Sequence, residues 1–129
     1  MSSEPTKSIE EVIRSDGRYP PEAFAFLHEG LSRAQSAEGP LAPGERRHVS
    51  ARQHCMAMRD LAVERWGQLA QAVLAKWNIT ATIDFGNMVY LLADSGYIKT
   101  SEEDSHDDYR NVFSFDEAFA GQDDFELNE

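Results

Sequence analysis

A single cysteine, Cys55, leaves this chain with no internal disulfide, which fits a reducing compartment. No apolar run approaches the roughly 18 residues that a membrane-spanning helix requires. The opening stretch, Met1 to Pro5, has neither the basic nor the apolar region of a secretory signal. A cytoplasmic location is the expectation. Positive charge is scarce: 12 Lys and Arg stand against 23 Asp and Glu, a formal net charge of −11. From Thr80 onward thirteen acids face two basic residues, Lys99 and Arg110. A surface of that sign repels phosphate backbones and anionic lipid and attracts basic protein surfaces. Nucleic acid is therefore a disfavoured partner. The glycines at 67, 86 and 96 are isolated, so no loop is built to cradle phosphate.

What is present is ordinary core material. Hydrophobic residues make up 41% of the 129, with seven Phe, four Tyr and two Trp, enough for one folded domain spanning 1–129. Residues 1–7 and 121–129 are polar and read as flexible tails. Residues 36–47, with Gly39-Pro40 and Pro43-Gly44, read as a solvent-exposed loop.

Local signals place the helices. Ser8 caps a short helix that Asp16-Gly17 ends. Pro21 opens a second, with Phe24, Leu27, Leu31 and Ala34 along one stripe. Ser50 and Gln53 form a capping box for a third. That helix turns Cys55, Met58, Leu61, Ala62 and Trp66 inward, and a break is expected at Trp66-Gly67. A further segment carries Leu69, Ala70, Val73, Leu74 and Trp77. Thr80 or Thr82 should cap the next helix, with Phe85, Met88, Val89 and Leu92 on its apolar face and Gly96 past its end. Gly86, in that helix, suggests close packing against the preceding one. Tyr97–Lys99 and Val112–Phe115 read as two short strands, the second by its alternation. Asp116 would cap a last turn through Phe119. The expected fold is mainly α with an α+β element: a helical bundle, a winged-helix-like C-terminal half and a small two-stranded β-hairpin. Its core should contain Phe24, Leu27, Trp66, Leu74, Trp77, Phe85 and Leu92.

Two resemblances accompany this pattern. Leu92, Ser95-Gly96-Tyr97-Ile98 and Asp107 through Val112 resemble the recognition-helix end and wing of MarR-type winged helix-turn-helix regulators. That likeness implies a DNA-binding fold in which Asp108 and Arg110 shape the wing tip. The helix in the reading position, Ile83 to Asp94, holds no Lys or Arg. Over a longer span, Arg18–Phe24 (RYPPEAF), Arg47–Ser50 (RHVS), Trp66–Ala70 (WGQLA), Asp84–Gly86 (DFG) and Val112–Phe119 (VFSFDEAF) resemble the Minf-type hypothetical proteins, a short bacterial family. That resemblance implies a bacterial single-domain protein and carries no activity with it.

His28-Glu29 begins like a zinc-peptidase helix, but Ser32 stands where the second histidine belongs. His48, His54 and Cys55 offer three ligands at most, where a structural zinc wants four, and His54 and Cys55 diverge on a helix. Cys55 reads as a buried, inert thiol beside an exposed or loop histidine. The run from Glu102 to Asp108 fails as a calcium loop, because Tyr109 occupies the position of the obligatory glycine. No cofactor, metal or catalytic residue is expected. The leading expectation is a non-enzymatic, cytoplasmic protein-interaction module. Its acidic surface, Glu102, Glu103, Asp104, Asp107 and Asp108 with Arg110, would meet a partner with a basic surface. A DNA-binding regulator and an enzyme or ligand-binding protein with an unrecognised pocket are the alternatives.

Overall fold

The computed structural model describes residues 7–37, 39, 42–43 and 48–120. Five α-helices lie wholly within the described residues: α1 Ile9–Asp16, α2 Pro21–Gln35, α3 Ala51–Trp66, α4 Ala70–Lys76 and α5 Thr82–Asp94. Two 3-10 turns, Gly67–Leu69 and His106–Tyr109, join them, and residues 115–120 are helical. Residues 38, 40–41 and 44–47 of the expected loop, and the tails 1–6 and 121–129, lie outside the described residues.

The local signals set the helix ends. Ser8 Oγ accepts from Glu11 N while Glu11 Oε1 accepts from Ser8 N, each at 3.1 Å. Ser50 and Gln53 repeat the reciprocal box at α3. Gly17 and Gly96, at φ 75° and 89°, provide left-handed ends that a side chain would resist. Asn78, at φ 66°, does the same for α4, with Ile79 N donating to Leu74 O at 2.9 Å. The expected break falls at Gly67, where α3 gives way to a 3-10 turn. At α5 the capping differs from expectation. Ala81 holds the cap position and the Asp84 carboxylate accepts from both Thr80 N (2.8 Å) and Ala81 N (3.1 Å). Thr82 turns inward instead.

Helix α2 packs on α3, and α5 packs on the His106–Tyr109 turn. Phe24, Leu27, Leu74, Phe85 and Leu92 are buried, as expected of a core. Trp66 and Trp77 are only half-buried. They close one end of the core around Phe26, with ring centroids 5.1–5.8 Å apart. Both close helix contacts use glycine. A Cβ on Gly30 of α2 would lie 2.1 Å from Met58 Sδ, and one on Gly86 of α5 would lie 2.6 Å from Tyr109 Cβ. Gly86 therefore serves the 3-10 turn, not the preceding helix. Gly86→Ala should cost about 1–3 kcal/mol through overpacking, despite alanine's better helix propensity. Gly30→Ala should cost less, since its nearest obstacle is a flexible thioether. Urea denaturation of the two variants checks the order; the reverse order would refute this packing account.

The β-hairpin and the winged-helix half are not found: no strand occurs among the described residues. The backbone groups a ladder would need are engaged elsewhere. Tyr97 N donates back to Leu92 O at 2.8 Å, completing the α5 end. Val112 N donates to Thr82 Oγ1 at 3.1 Å. Asn111 sits at φ 54°, off the extended region. Ser114 O accepts from Ala118 N at 2.8 Å, so Ser114 rather than Asp116 opens the last helical turn. The alternation of Val112 to Phe115 is in fact the start of a helical pair: Phe115 and Phe119 are both buried, in edge contact at 5.3 Å.

Candidate functional site

The chain's last described third folds back over α5, and the contact is made by hydrogen bonds as well as rings. Tyr109 is the anchor. Its carbonyl accepts from Thr82 Oγ1 at 2.6 Å. Its hydroxyl lies 2.9 Å from His54 Nδ1, and His54 Nε2 lies 3.3 Å from Leu27 O. A carbonyl can only accept, so Nε2 carries the proton and Nδ1 accepts from the tyrosine. Burial pushes His54 down to about 4, only partly opposed by the Leu27 carbonyl, so the ring is neutral at pH 7. Burial first, and then the neighbouring negative charge, raises the Tyr109 hydroxyl.

His54 is a correction. The residue expected to be an exposed or loop histidine beside Cys55 is 0% exposed. The signal was available, since His54, Met58 and Leu61 repeat at helical spacing. Cys55 itself is buried, and burial pushes its thiol up to about 12. His48 lies on the surface, its Nε2 2.9 Å from Asp104 Oδ1. No cluster of three or more His, Cys, Asp or Glu among the described residues could hold a metal ion.

The acidic candidates divide. Glu102, Glu103, Asp107 and Asp108 are exposed and Asp104 is half-buried, Asp107 pairing with Arg110 at 2.8 Å. Asp104 and Asp108 do structural work. Asp104 Oδ2 accepts from Ser101 N and Asp108 Oδ2 from Ser105 N, each at 3.0 Å. Asp104 is also partly buried, which pushes its carboxyl up; the Ser101 N–H and the His48 ring outweigh this and hold it below the usual range. Two Ser-x-x-Asp boxes in succession thus lock the segment's backbone, and Tyr109 fixes it to the core. Asp108 and Arg110, carried over as wing-tip residues, sit in and just after the 3-10 turn instead.

Behind this segment lies a cleft. One hollow of about 630 Å³ is walled by α2, the start of α3, α5 and residues 97–109. An adjoining hollow of about 440 Å³ is lined mainly by apolar side chains from α1, α2 and α5. Both are of a size that takes small molecules. Elsewhere, Arg18, Arg33, Arg59, Arg65 and Arg110 each face a carboxylate, while Arg46 and Arg47 lie outside the described residues. No helix among the described residues is long and apolar enough to cross a membrane. The chain matches no known family, no curated protein and no solved structure.

Proposed function

We propose that the chain is a non-enzymatic, cytoplasmic interaction module that meets a basic protein surface through Glu102, Glu103 and Asp107. The observation that carries this reading is the exposure of these three carboxylates on a backbone held in place by the Asp104 and Asp108 carboxylates, which accept from Ser101 N and Ser105 N, and by Tyr109. A pre-organised charged surface loses little entropy on docking and steers an oppositely charged partner. The reading as a non-enzyme is supported by the state of His54 and Cys55: both nitrogens of His54 are engaged, and the Cys55 thiol is buried, which pushes it up to about 12. The net charge of −11 disfavours a polyanionic partner.

The test is capture from native lysate with quantitative mass spectrometry, comparing the natural chain with Glu102→Gln/Glu103→Gln/Asp107→Asn. Asp104 and Asp108 stay, because their carboxylates accept from Ser101 N and Ser105 N and line the cleft behind the segment. Three exposed charges at roughly 0.5 kcal/mol each predict about a tenfold loss of the genuine partner, and rising salt should mimic it. A partner list that survives both changes would remove the acidic face from the reading.

A further inference from the structure

The cleft behind the acidic segment has a chemistry of its own. Its smaller hollow is closed by Ile9, Ile13, Phe24, Leu27 and Leu92. The larger one adds Tyr90, Lys99, Thr100, Ser101, Asp104 and Asp108. Both share Leu31, Val89 and Ile98 as walls, so an apolar chamber adjoins a polar one. Histidines aside, the polar chamber's walls set two carboxylates, Asp104 and Asp108, against one lysine. Glu102, Glu103 and Asp107 stand close by in the same segment.

Tyr90 marks the junction chemically. Its ring stacks on His106 with centroids 5.1 Å apart, and its hydroxyl oxygen is buried with no hydrogen bond of standard geometry. The Thr100 side chain interacts with it without forming a well-shaped bond, and a buried hydroxyl so placed gains from a better partner. Burial raises its pKa first, and the charges of Asp104 and Asp108 add to this, the Thr100 side chain opposing. Asp104 and Asp108 line the same hollow as Tyr90, an arrangement that favours an N–H donor bearing positive charge over an anion.

We infer that this cleft binds a small organic cation with an apolar body, an alkyl amine in its simplest form. The hydrocarbon lies among Leu31, Val89, Leu92 and Ile98, and the ammonium lies on the Asp104 and Asp108 side near Tyr90. The site uses the two carboxylates that line the cleft, Asp104 and Asp108, whereas the partner face uses Glu102, Glu103 and Asp107, so each can fail without the other.

The probes are decylamine, decanoate and butylamine, all below any micellar concentration, titrated into the full chain and followed by amide and methyl chemical shifts. Decylamine should saturate at one equivalent with shifts centred on Leu31, Val89, Ile98 and Thr100, and bind at least tenfold more tightly than decanoate or butylamine. Leu31→Trp, which fills the apolar chamber, should abolish the binding. Asp104→Asn/Asp108→Asn, which removes charge while keeping an acceptor at each cap, should weaken it about tenfold with the fold's spectrum retained. Equal affinity for decanoate, shifts scattered over the acidic surface that survive Leu31→Trp, or no saturable binding at all would each overturn the proposal.

Discussion

Replacing Tyr109 by alanine should destabilise the fold by about 4 kcal/mol, the largest effect expected of any single substitution described above. The side chain is buried, its ring covers Gly86, and it meets the His54 ring edge-on at 5.9 Å. Truncating a buried aromatic costs about 3–5 kcal/mol through lost burial and the cavity left behind. The cavity here would open beside Gly86, which has no side chain to fill it. The change also strands His54 Nδ1 without its donor, a penalty of about 1–3 kcal/mol for a buried acceptor. The two losses share one residue and will not simply add. Against a typical total of about 5–15 kcal/mol, this is a large fraction, and the melting temperature should fall by more than ten degrees. Tyr109→Phe separates the parts, because it keeps the ring and loses only the hydroxyl; about 1–3 kcal/mol is expected. Chemical denaturation of both variants gives the numbers, and amide spectra of Tyr109→Ala should show residues 98–112 losing dispersion before the helices do. A cost under 1 kcal/mol for Tyr109→Ala would mean that the segment is held by something other than this residue.

That anchor was hidden in the sequence for a physical reason. Helix ends are written within four residues: Ser8, Ser50 with Gln53, Pro21, Gly67 and Gly96 all act where expected. The same locality makes two further features of the acidic segment readable, the successive Ser101-x-x-Asp104 and Ser105-x-x-Asp108 spacings, in which each aspartate accepts from the serine N–H. Beyond Gly96 the decisive partners are remote. Thr82 bonds across to Tyr109 and Val112, and Tyr109 reaches His54 from 55 residues away. Without those contacts, the alternation of Val112, Phe113, Ser114 and Phe115 suited a strand as well as the first half of a Phe115–Phe119 helical pair. The charge of the candidate site was legible from composition alone. Which carboxylates face outward and which hold the loop together depends on backbone geometry that composition does not encode.

Mild acid should weaken the protein through His54. The group is a base whose folded-state pKa, about 4, lies below the ordinary 6.5, so the unfolded chain binds more protons than the folded one between these values. Stability therefore rises with pH in that window. It is fully present above about 6.5, is lost as pH falls from there toward 4, and changes no further on this account below 4. The gap corresponds to on the order of 3 kcal/mol. Carboxylates act in the same direction but lower on the scale. Glu11, held down by the Ser8 cap, and Glu64, held down by Arg33, lose their contributions only as pH falls below the ordinary carboxylate range. Loss between pH 6.5 and 4.5 therefore belongs to the imidazole. Urea midpoints measured across that interval should decline steadily for the natural chain. His54→Gln starts from lower stability, since it disturbs the Leu27 and Tyr109 contacts, but its midpoint should stay nearly flat. His28, His48 and His106 remain in both proteins, so the difference between the slopes isolates the buried ring. Parallel slopes would be incompatible with a neutral His54 donating to Leu27 and accepting from Tyr109.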